Sequence, residues 1–586
     1  MTERTDPILM EVLKNELTAT AEEMAITMKR TARSLGAKEG ADFSTALVDA
    51  QGQLIAQGLT IGIHLGYVIG VMPWVLSKFG RSLHPGDILI SNDPYGGVSH
   101  FPDIVLLMPI FWREQLVGFA AIVAHHTDIG GRFPGGMGIA CTQTYEEGVR
   151  IPGVKLYDAG KRNDALIELL LANVRAPDDV AGDLEAQAAA CRRGADGVCA
   201  ILDRHGLETF SAVNKQLCAY SERAMRRTIA AIPDGDYHCE DVFEDDGLGG
   251  GGVALALTIE IRGDNARIDF DGSAPQVPSA INVPINLTRA CAYVAFRSIV
   301  QSDPPANAGL MTPISVEAPV GTVVNPQFPG AVGARGMMMW RIIDMIFAAL
   351  AQAIPDRVYA AGDGGMNLLV YTPAAAGDAS APAMLLDIYS SGWGARPDSD
   401  GIEGVTPMAA GGATRSLPAE VMERECPVVL EGFGFVPDTG GAGEYRGALS
   451  VFRRWRFLAS GRAMLRNCRV KSLPYGLNGG ADGTSFHAEL LRDGVSTALP
   501  REMMLDLEVR PGDVLTHVQP GAGGYGPALQ RGSHAVLEDV LDGKISADYA
   551  LEHYAVVLDQ DAHAIDAQAT QELRNERLLT MGVRSQ

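Results

Sequence analysis

The chain has 586 residues, of which 47% are hydrophobic and 20% charged, a composition that fits a globular protein of two or three domains and argues against a disordered or fibrous chain. The formal net charge of −23, without a basic cluster interleaved with aromatic residues, argues against binding to nucleic acid. No stretch reaches the roughly 20 apolar residues that span a bilayer, and the N-terminus lacks a secretory signal. We therefore expect a cytoplasmic protein with reduced cysteines and no membrane partner.

The N-terminal part is predicted to combine a long helix with several buried strands. Asp6-Pro7 opens the helix, and apolar residues recur at helical spacing until Gly36 ends it. Strand-like runs follow at residues 44–48, 53–56, 88–91, 104–109 and 116–124. The last run is almost entirely apolar, so a buried strand should hold the two histidines that follow it, His125 and His126.

The middle of the chain changes from helical to alternating patterns. Residues 160–232 have a helical pattern with breaks at Pro177 and Gly206. Alternation then predicts a hairpin of residues 253–261 and 266–270.

The last half of the chain is mixed and then helical. Helix-like runs at 288–300 and 337–353 precede glycine-rich, β-like segments, and helical patterns return near the end. Together these patterns predict an α/β (mixed α+β), multi-domain fold with a β-rich central part and a helical C-terminal tail. The predicted regions are an N-terminal α/β region at 1–235, a β-rich, glycine-containing region at 236–526 and the helical tail at 527–586.

A group of potential metal ligands lies within the N-terminal region. His100 and Asp103 are three residues apart on a loop that follows the turn residues 93–97, and His125 ends a buried strand. Imidazoles with carboxylates are a usual ligand set for zinc, manganese or iron, and no cysteine nearby offers a thiolate. The same residues also fit solvated or hydrogen-bonded histidines beside an ordinary turn. Spacing alone leaves both interpretations open.

Other motifs are weaker signals. The glycine run at 249–252 lacks the Gly-Lys-Ser/Thr ending of a phosphate-binding loop, and we find no such loop elsewhere in the sequence, so we interpret the run as a tight turn. Trp393 and Arg396 can form the wall and the anion clamp of a substrate cleft, or they can belong to a structural turn.

Two longer motifs contain the candidate ligands, namely Asn92-Asp-Pro-Tyr-Gly-Gly-x-x-His100-x-Pro-Asp103 and His125-His126-x-Asp-Ile-Gly-Gly131. They resemble the signature of the hydantoinase B family, which includes the metal subunits of ATP-dependent hydantoinases, lactamases and 5-oxoprolinases and the related acetone and acetophenone carboxylases. Further matching segments extend the resemblance over nearly the whole chain: Asp42-Phe-Ser44, His64-Leu-Gly66, residues 469–480, residues 519–526 and the tail at 536–573. The chain departs from the family pattern at Gly40-Ala41 and at Ala522.

The resemblance implies roles for individual residues. The implied metal ligands are Asp42, His100, Asp103 and His125. The implied catalytic residues, which either support the ligands or act as general acid and base, are His126 and Asp128. The candidates for substrate binding are His64, Trp393 and Arg396.

The resemblance also implies a two-component enzyme that forms a hetero-oligomer. A hydantoinase A-like, ATP-binding partner would use ATP and Mg²⁺ to phosphorylate the amide oxygen of a ring. Water activated by one divalent transition metal on this chain, zinc or manganese with iron as a further alternative, would then attack the activated carbon. The implied small-molecule substrate is a cyclic amide: a hydantoin, an N-methylhydantoin, a lactam or 5-oxoproline.

Two alternative functions remain open on the sequence. One is a subunit of an ATP-dependent ketone carboxylase of the acetone or acetophenone type, although acetone carboxylase subunits of this kind are usually longer. The other is a non-catalytic scaffold subunit, in which four protein ligands would close a structural metal site.

Overall fold

The structure is a computed structural model that describes residues 6–58, 61–80, 82–365, 367–374, 384–406, 414–559 and 561–584. The described residues form two compact units, one reaching residue 349 and including 414–418, and the other covering 350–406 and the chain from 419 onward. The three-part division expected from the sequence stays a prediction. Within the described ranges, no helix is both long enough and apolar enough to cross a bilayer.

The first unit combines helices with two sheets. Its helices are α1 (Pro7–Thr31), α2 (Leu35–Lys38), α3 (Leu65–Phe79), α4 (Asp164–Leu171), α5 (Pro177–His205), α6 (Leu207–Ala230), α7 (Ile285–Ser298) and α8 (Gly336–Leu350), the last ending at the boundary. Its strands are β1 (Phe43–Asp49), β2 (Leu54–Gln57), β3 (Ile88–Ser91), β4 (Asp103–Trp112), β5 (Gln115–His125), β6 (Val154–Asp158), β7 (Lys161–Arg162), β8 (Gly235–Phe243), β9 (Val253–Arg262), β10 (Asn265–Asp269) and β11 (Ile314–Glu317).

The second unit is β-rich and ends in helices. Its strands are β12 (Leu368–Pro373), β13 (Leu385–Ile388), β14 (Val428–Val436), β15 (Ser450–Phe457), β16 (Gly461–Arg466), β17 (His487–Arg492), β18 (Val495–Ala498), β19 (Met504–Val509) and β20 (Val514–Val518). Its helices are α9 (Ala419–Glu425), α10 (Ser533–Leu541), α11 (Ala547–Tyr554) and α12 (Ala567–Arg584). The strands form two sheets, in the orders β13-β12-β16-β19 and β14-β15-β20-β17-β18. The mixed fold class and the helical C-terminal segment are therefore confirmed.

A seven-stranded antiparallel sheet, in the order β2-β1-β5-β4-β3-β6-β7, organises the first unit. Helices α1 and α5 pack against one face of this sheet. Ala120, Ile122 and Ala124 of β5 join the apolar core on that face. Because side chains alternate along a strand, Val123 and His125 point to the opposite face. Helix α3 contacts β1 and β5.

The first helix is shorter than predicted, because it ends at Thr31 and not near Gly36. Its start agrees with the prediction, since the Asp6 carboxylate accepts the Ile8 N–H at 2.9 Å. At its other end, the Asp183 carboxylate on α5 accepts the N–H groups of Arg33 and Ser34 at 2.8 and 3.1 Å. These bonds satisfy the backbone in an extended conformation and stop the helix.

Candidate metal centre

The register of three neighbouring strands places the candidate ligands in a row. Asp103 at the start of β4 pairs with His125 at the end of β5. On the other side of β5, Phe43 pairs with Ala124, and His125 N–H donates to the carbonyl of Asp42 at 3.0 Å. Residues directly opposite each other in a sheet share a face, so Asp42, His125 and Asp103 lie on the face away from α1 and α5.

Three of the four predicted ligands come close enough to share one ion. Each of His100, Asp103 and His125 offers a ligand atom, and these atoms all lie within 4.8 Å of one another. The rings of His100 and His125 have centroids 5.0 Å apart. All three side chains are buried, with exposures of 1%, 1% and 6%. The cluster contains two imidazoles, one carboxylate and no thiolate, which suits a divalent transition metal.

The hydrogen bonds of Asp103 prepare one of its oxygens for a cation. Its Oδ2 lies 2.9 Å from His100 Nδ1 and accepts from the Ser99 hydroxyl at 2.9 Å and from Arg335 Nη2 at 3.3 Å. Its Oδ1 is buried and has no hydrogen-bond partner among the described residues, and the same holds for His125 Nε2. Buried polar atoms without partners are rare in native proteins and require an explanation. A bound cation provides one, so the residues present fit a metal ion.

Asp42 lies beside this cluster and next to His64, but it is not among the three groups within 4.8 Å. His64 Nε2 is 3.8 Å from Asp42 Oδ1, and His64 Nδ1 is 3.1 Å from the Ser44 hydroxyl. Because Ser44 donates its only proton to the carbonyl of Ile61, it accepts the Nδ1–H of His64. The Nε2 atom of a neutral His64 therefore presents a lone pair on the side of Asp42.

Burial and neighbouring charges shift the pKa values of His125 and Asp103. Burial lowers the pKa of His125 well below its usual value, with a further contribution from His100. Burial alone would raise the pKa of Asp103, but His100 and Arg335 hold it well below the usual range. Neutral imidazole and ionised carboxylate are the forms that bind metals.

Asp42 and His64 have strongly shifted pKa values. Burial, reinforced by the charge of Asp103, raises the pKa of Asp42 to about 7. Burial also lowers the pKa of His64 to about 4. At neutral pH, Asp42 is therefore close to its pKa, whereas Asp103 is ionised.

His126 lies on the other face of the sheet from His125. Its Nε2 bonds to Gln187 Oε1 on α5 at 2.9 Å, and Gln187 Nε2 donates to the carbonyl of Ile104 at 2.8 Å. Because the amide nitrogen of Gln187 is the donor to Ile104, its oxygen accepts the Nε2–H of His126. This arrangement ties the end of β5 to α5 and points His126 away from the candidate ligands.

Asp128 is saturated with hydrogen bonds. Its carboxylate accepts the backbone N–H groups of Gly130, Gly135 and Arg175 at 3.0, 3.2 and 2.7 Å. It also forms an ion pair with the Arg175 guanidinium at 3.0 Å. These contacts organise the loop that follows the two histidines and leave little capacity for proton transfer.

The two remaining candidates, Trp393 and Arg396, belong to the second unit. Trp393 Nε1 donates to the carbonyl of Thr406 at 2.8 Å, and its ring centroid lies 5.5 Å from that of Tyr359. Arg396 Nη2 donates to the carbonyl of Asp400 at 3.2 Å, within a local turn. These contacts are those of a structural turn, and a role in substrate binding stays a prediction.

Two residues of the site were not found by sequence reasoning. Arg335 and Ser99 both bond to Asp103, and Arg335 Nε also donates to the Ser99 hydroxyl at 2.8 Å. Ser99 is adjacent to His100 in the motif of residues 92–103, so its position in the sequence could have indicated that it belongs to the site. Arg335 is separated from Asp103 by 232 residues, and no local pattern marks it.

Comparisons with known proteins identify relatives over almost the whole chain. The sequence profile of the hydantoinase B/oxoprolinase family matches residues 6–528. A putative D-/L-hydantoinase component of the B type, from Pseudomonas sp. (strain NS671), is 33% identical over 97% of this chain and 98% of its own length. A crystal structure of the ATP-dependent caprolactamase of Pseudomonas jessenii is 32% identical with a TM-score of 0.89, covering 98% of this chain and 100% of that one.

A second solved structure shows how far the fold extends. Acetone carboxylase in its nucleotide-free form aligns with a TM-score of 0.90 at 19% identity, over 99% of this chain and 84% of that chain. At that identity the likeness concerns the fold only. The family match covers most of the chain, including every residue of the candidate metal centre, and the chain belongs to the hydantoinase B/oxoprolinase family.

Proposed function

We propose that this chain is the metal-binding, ring-opening subunit of an ATP-dependent cyclic amidohydrolase. The observation that carries the proposal is the buried cluster of His100, Asp103 and His125, in which Asp103 Oδ1 and His125 Nε2 have no partner among the described residues. Asp42 would complete the ligand set from the neighbouring strand. Zinc or manganese is proposed as the ion, with iron as an alternative.

The names of the relatives support the proposed substrate class and the presence of a partner subunit. One relative is named as part of a hydantoinase and one as a caprolactamase that depends on ATP, and both names describe action on a cyclic amide. The first name designates one subunit of a larger enzyme, which supports a hetero-oligomer. We therefore propose a hydantoinase A-like partner that binds ATP and Mg²⁺ and phosphorylates the amide oxygen.

After phosphorylation, ring opening requires two successive additions of water. Water adds to the activated carbon, the ring C–N bond breaks, and the nitrogen leaves with a proton. The phosphoryl group stays on the carbon's oxygen until a second water releases inorganic phosphate. An ion at this site would supply Lewis acidity for such steps. The net reaction consumes one ATP and two waters for each ring opened.

The residues of the chain itself prepare the site for this reaction. Asp103 is held ionised by His100 and Arg335, and the imidazole of His125 is held neutral by burial. We assign positioning roles to His126 and Asp128. His126 bonds to Gln187 of α5, on the face of the sheet opposite the candidate ligands, and Asp128 organises the loop after β5. A buried site of this kind strengthens electrostatic interactions with a reacting group.

Isotope labelling of the complete complex tests the proposal. The complex is offered 5-oxoproline, a hydantoin, an N-methylhydantoin, a simple lactam and a methyl ketone, each with ¹⁸O water or with ¹³C bicarbonate. We expect an amino acid or carbamoyl amino acid product that contains oxygen from water and forms without bicarbonate. A product formed only from the ketone, with bicarbonate carbon retained, would replace this function with ketone carboxylation.

A further inference from the structure

Arg335 has a buried hydrogen-bond donor that the fold itself does not use. The guanidinium is 7% exposed, its Nε donates to the Ser99 hydroxyl at 2.8 Å, and its Nη2 donates to Asp103 Oδ2 at 3.3 Å. Its Nη1 is buried and has no hydrogen-bond partner among the described residues. An arginine stays charged in proteins, so it cannot escape this penalty by losing a proton. An unsatisfied buried donor costs about 1–3 kcal/mol, and more when it is charged.

The geometry of Arg335 is not that of a simple counter-charge for Asp103. Arginine and carboxylate groups that pair frequently form two parallel hydrogen bonds. Here only Nη2 of Arg335 contacts Asp103, at Oδ2. The same oxygen also accepts from the Ser99 hydroxyl and lies 2.9 Å from His100 Nδ1. The other carboxylate oxygen receives nothing from Arg335. The guanidinium therefore retains a donor while it is fixed beside the candidate metal ligands.

The backbone that carries Arg335 is held from several sides. The carboxylate of Glu147 accepts the N–H of Val332 at 2.9 Å and that of Gly333 at 2.5 Å. A Cβ on Gly333 would lie 2.7 Å from the carbonyl oxygen of Gly136, so only glycine fits there. The hydroxyl of Tyr95 donates to the carbonyl of Gly330 at 2.7 Å. These contacts fix the approach of Arg335 immediately before α8 and preorganise its charge.

We propose that Arg335 is a catalytic residue whose Nη1 donates to a phosphoryl oxygen of the activated amide. This inference rests on the proposed function, in which the phosphoryl group stays bonded to the substrate while the ring opens. A fixed cation beside the reacting carbon would stabilise a dianionic group that persists through those steps. Arg335 provides such a cation with a spare donor, and it contacts the candidate metal ligand Asp103 directly.

A binding measurement tests this role without relying on turnover. Inorganic phosphate is titrated into the metal-loaded full chain by calorimetry, with metal content determined on the same samples. Arg335→Lys and Arg335→Met should weaken phosphate binding at least tenfold and keep their metal. Arg297→Met is the matched control, because that arginine of the same unit pairs with the fully exposed Asp303, and it should bind phosphate like the wild type.

Three outcomes would overturn the inference. The wild type could fail to bind phosphate, or both Arg335 variants could bind it normally. If instead both variants lost their metal, Arg335 would serve only to hold Asp103.

A kinetic experiment distinguishes the two anions that Arg335 could bind, the phosphoryl group and a carboxylate of the substrate. Arg335→Lys in the complete complex should lower kcat to a similar degree on 5-oxoproline and on a lactam without a carboxylate. A loss confined to 5-oxoproline would assign Arg335 to the carboxylate and overturn the inference. Failure of the proposed function is seen separately, because ring opening with oxygen from water is measured on the wild-type complex alone.

Discussion

At the scale of single residues, Asp42 is the predicted ligand whose role is least determined by geometry. Its carboxylate stands 3.8 Å from His64 Nε2 and lies outside the group of three atoms that can share an ion. Its backbone, however, is bonded to His125, and its pKa responds to the charge of Asp103. If the carboxylate of Asp42 is a ligand, its titration should be visible in metal binding.

We expect metal affinity to depend on the protonation of Asp42. Because the pKa of Asp42 is raised to about 7, its carboxyl is protonated below that pH and must lose the proton to bind a cation. Affinity should therefore fall about tenfold for each pH unit below 7. The pKa values of His125 and Asp103 are lowered, and that of His64 is lowered to about 4, so these groups do not titrate in that window.

Metal titrations between about pH 5.5 and about pH 8, a range that spans the titration of this group, check the prediction. Asp42→Asn should bind the ion more weakly and lose most of the dependence on pH. Asp49→Asn is the control, since Asp49 lies at the far end of β1, the strand that follows Asp42, and also has a raised pKa. An unchanged pH dependence in Asp42→Asn would remove Asp42 from the ligand set.

At the scale of elements, periodicity was sufficient to predict the strands that carry the site. The predicted runs at 104–109 and 116–124 correspond to Asp103–Trp112 and Gln115–His125. The helix α3 was not predicted, because Gly66, Gly70 and Pro73 interrupt its pattern. Arg335 was not predicted either, because its role depends on packing between distant segments and not on local spacing. The sequence thus pointed to the candidate ligands, while the residues that contact them became visible only in the fold.

The loop between β3 and β4, which carries His100, lies close to α3. A glycine-to-alanine substitution in this loop tests that contact. Gly97 has φ +116°, and a Cβ there would lie 2.6 Å from the backbone nitrogen of Val71 and nearer still to the carbonyl of Gly70. Gly97→Ala should lower the free energy of unfolding by on the order of 3 kcal/mol. Gly251 has φ +90° and nothing within 4 Å of its Cβ position, so Gly251→Ala should cost about 1 kcal/mol.

Denaturant unfolding of the two alanine variants measures this difference. The comparison separates backbone strain, which both variants share, from the steric conflict with α3, which only Gly97→Ala creates. Equal stabilities would show that the loop does not pack against α3 as described.

At the scale of the whole molecule, the proposed function places nucleotide chemistry on a partner chain. No Gly-Lys-Ser/Thr phosphate-binding loop occurs in the sequence, and the formal net charge is −23. The family membership shown by the comparisons agrees with an expectation first formed from two short motifs. The substrate and the native ion could not be predicted in the same way, because related sites accept several metals and ring size is set by the shape of the pocket.

We expect the isolated chain to show no ATP hydrolysis, with or without a cyclic amide. Addition of an ATPase-type partner should produce hydrolysis that depends on the cyclic amide. A coupled assay of ADP release, with the partner alone as the control, checks this expectation. ATP turnover by this chain alone, stimulated by a cyclic amide, would contradict the division of labour between the two chains.

Elemental analysis of the purified chain tests the central claim most directly, namely that one ion is held on one face of the sheet. We predict about one divalent transition metal per wild-type chain and loss of most of it in each of three folded variants, His100→Ala, Asp103→Ala and His125→Ala. His126→Ala is the matched control, because the His126 side chain bonds to Gln187 of α5 on the opposite face of the sheet. This variant should keep the ion. Full metal content in all three ligand variants would contradict the account, and so would loss of the ion from His126→Ala alone.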